Sequence, residues 1–266
     1  MVWLLDSIEM HSAPSVTQTN FDFLIICDRK LYPTILKQLE RKSYRFGIKY
    51  LIVEDSLNAM RASMQKLRVF EYPFLNSYEH ILYLDSDILT TLDLDDFMKH
   101  LKISPELLYV FKEKHELKEH KNMFWSLGAY TEKDMATFKE HQIYPFNAGC
   151  FVFTNSVPMK SHFQALLDWI RDYKGPFFYE QSFMNVYFNT RRLINYDVIT
   201  PDNYVMFPVA GQQYEDKIIH FCGYPGNGDL KIKSMKGAFD KMMAGRKNAP
   251  TTTPPPAPRR RVNYIL

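Results

Sequence analysis

Short apolar runs alternate with helix-forming segments through the first third of the sequence, and this alternation limits the fold more than any other feature. Residues 21–27 (FDFLIIC), 48–53 (IKYLIV) and 80–84 (HILYL) have the length and residue types of buried strands. Residues 31–38 and 59–69 carry apolar side chains at helical spacing. Strands that alternate with helices are typical of a mostly parallel sheet flanked by helices. The sequence therefore predicts an α/β fold.

The second half of the chain continues the pattern. Residues 149–154 and 217–221 are strand candidates, and residues 180–189 are a helix candidate. An amphipathic helical face over residues 159–173 is followed by the helix-ending pair Gly175 and Pro176. A chain of 266 residues, 46% of them apolar, can bury the core of one large domain, and we assign that single domain to residues 1–246.

The C-terminal segment has a different composition. Residues 249–261 (APTTTPPPAPRRR) lack bulky apolar side chains, and their prolines cannot donate backbone hydrogen bonds. We expect residues 247–266 to form a disordered Pro/Arg-rich tail.

Charge and cysteine content narrow the possible partners and location. With 33 basic and 30 acidic residues the net charge is +3, so nucleic acid is not a predicted partner, whereas anionic small molecules remain possible. Cys27, Cys150 and Cys222 form no C-x-x-C pair, so neither a disulfide framework nor a cysteine zinc site is predicted. No apolar run approaches the roughly 20 residues of a membrane span, and residues 1–5 are too short for a secretory signal. We expect a soluble, cytoplasmic protein of unknown oligomeric state.

Two aspartates follow the strand at residues 80–84. Ligands of open α/β sheets bind beyond the carboxyl ends of the strands, which is where Asp85, Ser86 and Asp87 lie. Two carboxylates so close together repel each other, and a divalent cation such as Mg²⁺ or Mn²⁺ offsets that repulsion. Alternatively, the Asp-x-Asp pattern arises by chance and Asp85 caps a turn ahead of a solvated, acidic helix start at residues 93–96.

A histidine near the C-terminal end of the domain is a candidate third ligand. His220 ends an apolar run (IIHFCG, residues 218–223), and a glycine-containing loop and Lys231 follow it. Imidazole is a good ligand for Mn²⁺, and glycines let backbone amides approach phosphate oxygens. The alternative is a half-buried histidine beside an ordinary glycine turn.

Taken in order, segments of the chain resemble the retaining, family 8 type of glycosyltransferase, the glycogenin and galactinol-synthase relatives. The segments are KLRVF (66–70) followed by YEHILYLDSDIL (78–89), PFNAGCFVF (145–153), EQSFMNVYF (180–188) and IIHFCG (218–223). The resemblance implies a GT-A (Rossmann-like) fold and a hexosyltransferase that uses Mn²⁺ or Mg²⁺. It also implies a UDP-sugar or other nucleoside-diphosphate sugar as donor, and a hydroxyl of a glycan, protein or small molecule as acceptor.

Carried over residue by residue, the resemblance assigns the following roles. The metal ligands would be Asp85, Asp87 and His220. Gln181, with its neighbour Glu180, would act at the reacting sugar. Donor or acceptor contacts would come from Lys66, Ser86, Asn147, Ala148, Gly149, Gly223 and Lys231. Structural roles remain as alternatives: a turn for Asn147, packing for Gly149, a helix-start polar group for Gln181, and surface charge for the lysines.

The sequence departs from the family pattern at three places. The family has a strand before the helix expected at residues 3–11, and this sequence starts almost inside that helix, so the strand is truncated or the base pocket is built differently. Glu180 replaces an aspartate of the family. The family has a Lys-Pro-Trp sequence after the histidine loop. This chain has GYPGNGDLKIK there, at residues 223–233.

Two other functions fit parts of the pattern. The first is a catalytically idle carbohydrate or nucleotide-sugar binding module of the same fold. The second is a sugar-nucleotide pyrophosphorylase, which would need a glycine-rich basic loop near its first strand, and the sequence has none there. The residues expected to choose the acceptor lie in the aromatic and Lys-rich stretch 111–144.

Overall fold

A computed structural model of the chain describes residues 1–12, 21–54, 58–113, 132–174, 179–222, 228–246 and 264–265. The helices are α1 (Val2–His11), α2 (Tyr32–Leu39), α3 (Ala59–Met64), α4 (Leu94–Lys99), α5 (Glu132–Glu140), α6 (Val157–Asp172), α7 (Glu180–Thr190) and α8 (Gly228–Arg246). The strands are β1 (Phe21–Asp28), β2 (Gly47–Val53), β3 (His80–Leu84), β4 (Ile88–Thr90), β5 (Leu108–Lys112), β6 (Phe146–Thr154), β7 (Ile194–Asn195), β8 (Tyr204–Met206), β9 (Ile218–His220) and β10 (Tyr264–Ile265).

The strands form one large and one small sheet. The large sheet has the order β2-β1-β10-β3-β6-β5-β7, and the small sheet has the order β4-β9-β8. In the large sheet β6 runs antiparallel to both of its neighbours, and the remaining pairs are parallel. The predicted α/β class is confirmed, and the central sheet is mixed.

Hydrophobic clusters cover both faces of the large sheet. Successive side chains of a strand point to opposite faces, so Leu82 and Leu84 of β3 join one cluster while Ile81 joins the other. Helix α1 packs on the first cluster, and α6 and α7 pack on the second. Strand β6 is buried over eight of its nine residues because it lies between two strands and beneath helices. Helices therefore flank the sheet, as the sequence predicts.

Helix α6 forms where the amphipathic pattern predicts it. Ser156 caps its N-terminus by accepting a hydrogen bond from the backbone N–H of Met159. Its apolar stripe, which includes Phe163 and Leu166, is fully buried. The predicted helix-ending residues Gly175 and Pro176 lie outside the described residues.

The helix predicted for residues 59–69 has two parts. It begins as α3 and continues from Gln65 to Glu71 as a tighter 3₁₀ helix. That segment buries Lys66, Leu67 and Val69. The tighter turn places a lysine at the sheet, which periodicity alone did not indicate.

The expectation that residues 247–266 are disordered is wrong for residues 264 and 265. Tyr264 and Ile265 form β10, which pairs in parallel with β1 on one side and with β3 on the other. Composition missed this strand because its pairing comes from two neighbouring strand edges, whose unpaired backbone groups are costly to bury. The other residues of 247–266 lie outside the described part of the chain. None of the described helices is both long and apolar enough to span a bilayer.

The core on the α6 side predicts a large effect of one truncation. Phe163 is fully buried, and its ring contacts those of Phe70, Phe151, Phe153 and Phe188. We expect Phe163→Ala to lower the free energy of unfolding by about 3–5 kcal/mol, measured by urea denaturation. The control Val157→Ala, on the exposed side of the same helix, should change it by less than about 0.5 kcal/mol. A Phe163 variant as stable as this control would contradict the packing.

Candidate functional site

The acidic turn lies where the chain leaves the large sheet for the small one. Strand β3 ends at Leu84, and β4 pairs antiparallel with β9 so that Ile88 lies opposite His220. Backbone hydrogen bonds fix the turn on both sides: Asp85 N–H donates to the Gly149 carbonyl, and Phe221 N–H donates to the Asp87 carbonyl. The crossing therefore brings Asp85 and Asp87 to the imidazole.

The three predicted metal ligands converge. His220 Nε2 lies 3.2 Å from Asp87 Oδ1 and 3.8 Å from Asp85 Oδ2. One candidate ligand atom from each residue lies within 4.8 Å of the others. This is a spacing that one cation can bridge after small side-chain adjustments.

A second observation, the hydrogen bonding of two buried atoms in the cluster, also fits a bound cation. His220 Nε2 and Asp87 Oδ1 are buried, and neither has a hydrogen-bond partner among the described residues. Buried polar atoms are normally satisfied, and these two have only their 3.2 Å ion-pair contact with each other, so a cation bound between them would satisfy both. Carboxylate oxygens suit Mg²⁺ and Mn²⁺ alike, whereas an imidazole nitrogen favours Mn²⁺. The residues present therefore fit a divalent cation.

The charges of the cluster are strongly coupled. Burial lowers the pKa of His220, but the Asp87 carboxylate and the Cys222 thiol outweigh burial and raise it to about 10. Burial would raise the pKa of Asp87, but His220 and the ammonium of Lys231, which contacts Asp87 Oδ2, hold it well below its ordinary value. Without a cation, protonated His220 offsets the aspartates. A cation that binds here must displace that proton.

Lys66 lies behind the cluster. Its ammonium donates to Asp85 Oδ1 at 3.1 Å, to Glu180 Oε1 at 2.6 Å and to the Ala148 carbonyl at 2.9 Å. These contacts use all three of its hydrogens. Burial would lower the pKa of Lys66, but Asp85 and Glu180 raise it well above its ordinary value. In this arrangement Lys66 holds two carboxylates together, whereas the resemblance implied a donor contact.

Asp85 is oriented by this network. Its Oδ1 accepts from the hydroxyl of Tyr83 at 2.6 Å as well as from Lys66. The opposite oxygen, Oδ2, is the one that faces His220. Lys66 and Tyr83 therefore aim one oxygen of Asp85 into the cluster.

Strand β6 forms one wall of the site. A Cβ atom added to Gly149 would lie 2.2 Å from His220 Cε1 and 2.8 Å from Asp85 Oδ2, so only glycine permits the observed approach. Asn147 Oδ1 accepts from Gly149 N–H at 2.8 Å, and Gln181 Oε1 accepts from Ala148 N–H at 2.9 Å. Asn147, Ala148 and Gly149 of β6 therefore adjoin Gln181, which was predicted from a different segment of the sequence.

Helix α7 is tied to β6 by side-chain amides. Asn185 accepts from the N–H of Phe146 and donates to its carbonyl. Glu180, at the start of the helix, is buried in its ion pair with Lys66, whereas Gln181 is partly exposed. Gln181 is thus the member of the predicted pair that solvent or a ligand reaches.

A cavity of about 740 Å³ extends from the cluster and is lined in part by residues of β1 and β3. Lys66, Ser86 and Lys231 line it together with both aspartates. Ser86 is exposed at the turn. Gly223, another predicted contact, lies outside the described residues. So do residues 114–131, which make up about half of the stretch 111–144 predicted to choose the acceptor.

Sequence reasoning missed two buried residues. Glu113 follows β5 directly, and burial raises its pKa to about 7 although the Asn147 side chain and His220 oppose that shift. Tyr204 places its hydroxyl 2.5 Å from His220 Nδ1. The rule that found Asp85 applies to Glu113 too, because this acid also follows an apolar strand. No sequence signal marks Tyr204.

The sequence profile of glycosyl transferase family 8 matches residues 14–225, most of the chain. The protein belongs to glycosyl transferase family 8. No curated protein sequence matches it. Among solved structures, the chain is similar to the apo form of mouse xyloside xylosyltransferase 1, with 10% identity over 83% of this chain and 90% of that one, and a TM-score of 0.48. The predicted family is confirmed.

The close approach at Gly149 of this family 8 glycosyltransferase can be tested by adding a methyl group. We expect Gly149→Ala to weaken Mn²⁺ binding at least about 10-fold, because the new Cβ displaces His220 and Asp85. Isothermal titration calorimetry measures the affinity. The control Gly237→Ala, in α8, adds its Cβ in open space and should leave the affinity unchanged. Equal affinities in the two variants would contradict the assigned packing.

The buried acid Glu113 predicts a pH dependence of stability. The folded state keeps its proton up to about pH 7, whereas the unfolded chain releases it near pH 4.5. The contribution of Glu113 to stability therefore falls as pH rises from 4.5 to 7, by about 3 kcal/mol.

We expect Glu113→Gln to remove this fall, measured by urea unfolding at pH 4.5, 5.5 and 6.5, below the range in which His220 also changes stability. The exposed Glu106→Gln should keep the dependence of the unaltered protein. The same decline in both variants would show that Glu113 is not buried as its surroundings indicate.

Proposed function

We propose that the protein is a metal-dependent hexosyltransferase that moves a sugar from a nucleoside-diphosphate donor to an acceptor hydroxyl with retention of anomeric configuration. The observation that carries this proposal is the convergence of Asp85, Asp87 and His220 in a family 8 chain, with two buried ligand atoms that make no hydrogen bond to the described residues. The donor and the stereochemistry follow from the family resemblance.

The three ligands would hold Mn²⁺, with Mg²⁺ as the second choice. The bound cation would neutralise charge that develops on the departing diphosphate, a contribution of several kcal/mol. Lys231 places a second positive charge at the mouth of the same cavity, beside Asp87. An ammonium there is available to a phosphate once a cation takes over the neutralisation of Asp87.

The buried residues behind the ligands would fix their geometry before substrate arrives. Lys66 and Tyr83 hold Asp85. Because Gly149 has no Cβ, β6 can approach the imidazole closely. Such preorganisation means that little free energy is lost in reorganising the site during the reaction. In this proposal Lys66 acts through Asp85.

Gln181 would contact the reacting sugar. Its side chain is partly exposed near the start of β6, and its Oε1 is fixed by the Ala148 amide. Glu180 would act as the counter-ion that keeps Lys66 charged, since a role as nucleophile would require breaking a buried 2.6 Å ion pair. Asn147 and Ser86 would line the sugar and donor sides.

The test is a panel of nucleotide sugars incubated with Mn²⁺, with release of nucleoside diphosphate as the measured product. We expect turnover of one donor, its loss on chelation, and a fall of at least about 100-fold in kcat/KM for Asp87→Asn. The control Asp168→Asn, a partly exposed residue of α6 that pairs with Arg171, should retain full activity. The anomeric configuration of the product, read by NMR, tests retention.

The rival functions give different results in the same assay. Donor binding without turnover, unchanged in Asp87→Asn, would indicate an idle module. Formation of a nucleotide sugar from a nucleoside triphosphate and a sugar phosphate would indicate a pyrophosphorylase. Either result would overturn the proposal.

A further inference from the structure

The side chain of Tyr204 is held rigidly beside the candidate metal cluster. It is 2% exposed, and its ring packs against that of Phe111 with 4.6 Å between centroids. Strand β8 pairs with β9, so Tyr204 lies opposite Ile218, two residues before the histidine. A tyrosine fixed by packing and by a strand ladder loses little further entropy when its hydroxyl makes a hydrogen bond.

The Tyr204 hydroxyl engages one side of the His220 ring. It lies 2.5 Å from Nδ1, while Nε2, on the other side of the ring, faces Asp87 Oδ1 at 3.2 Å. A hydrogen bond at Nδ1 therefore sets the direction of Nε2. Strand β9 fixes the backbone of His220, and the hydroxyl fixes its ring rotation.

The position of the imidazole proton decides whether His220 can bind a cation. Nε2 can donate its lone pair only if the proton of the neutral ring is on Nδ1. A hydroxyl oxygen can accept that proton in a hydrogen bond. Partners of this kind orient metal-binding histidines and select their tautomer. A neutral hydroxyl does so without adding a third negative charge beside two aspartates.

We propose that Tyr204 is a positioning residue that accepts a hydrogen bond from Nδ1–H of His220 and so directs the Nε2 lone pair between Asp85 and Asp87. This inference rests on the metal site of the proposed function. Tyr204 belongs to β8, so a second strand of the small sheet would contribute to the metal site.

The first experiment compares Tyr204→Phe with the unaltered 266-residue chain by isothermal titration with Mn²⁺ alone. We expect Tyr204→Phe to bind Mn²⁺ about 10-fold more weakly. The matched control is Tyr196→Phe, which also removes a tyrosine hydroxyl hydrogen-bonded to the protein, at the Tyr144 backbone, and should bind Mn²⁺ normally. Thermal unfolding of both variants reports whether they fold.

The effect must pass through the imidazole. In a His220→Gln background, whose carboxamide oxygen replaces Nε2 and which has no Nδ1–H, Tyr204→Phe should cause no further loss of affinity. Cys222 also lies near the ring and is a weak acceptor, so Cys222→Ala should weaken Mn²⁺ binding less than Tyr204→Phe does.

The outcomes separate this inference from the proposed function. Saturable Mn²⁺ binding by the unaltered chain that is equally tight in Tyr204→Phe would overturn the role of Tyr204 and leave the metal site standing. An equal loss in the His220→Gln background would also overturn it. No Mn²⁺ binding by the unaltered chain would overturn both.

A measurement on the unaltered chain avoids any question of folding. In ¹⁵N-labelled protein saturated with Zn²⁺, which is diamagnetic, the nitrogen shifts of His220 should show a proton on Nδ1 and none on Nε2. A proton on Nε2 would contradict the inference directly.

Discussion

The buried ion pairs of Lys66 are the interaction on which the site depends. Asp85 follows β3 and Glu180 begins α7, and the two carboxylates meet at the Lys66 ammonium beside β6. The two carboxylates would repel each other, and burying the Glu180 carboxylate without a partner would cost several kcal/mol. One ammonium, whose three hydrogens all reach oxygens, offsets that cost and fixes the orientation of Asp85. Because Lys66 binds Oδ1 of Asp85, the other oxygen, Oδ2, points toward His220.

The change of sheet after β3 gives the site its second constraint. The chain turns at residues 85–87 and enters the small sheet, whose central strand carries His220. The aspartates therefore sit at the junction of two sheets, and each sheet contributes one kind of ligand. Gly149 on one side and Tyr204 on the other limit the position of the imidazole ring, by steric contact and by a hydrogen bond.

Much of this arrangement could be predicted because the signals are local. The strand before Asp85, the helix after Ser156 and the strand before His220 each show an apolar pattern that depends on their own residues. The burial of Lys66 could not be predicted, because lysines are mostly exposed and only the 3₁₀ turn directs this one inward. Strand β10 was missed for a similar reason, since its pairing is supplied by distant strands.

The sequence by itself determined the α/β class, the family, and the residue types that can bind a cation, because periodicity and short ordered segments encode them. The tertiary structure alone decided which atoms face each other. It placed Asp85 Oδ2, Asp87 Oδ1 and His220 Nε2 around one point, assigned Lys66 to the carboxylates behind them, and brought Glu113 and Tyr204 to the cluster. The physical reason is that hydrogen bonds and ion pairs between residues far apart in sequence depend on strand pairing and on the packing of two sheets, which no local pattern specifies.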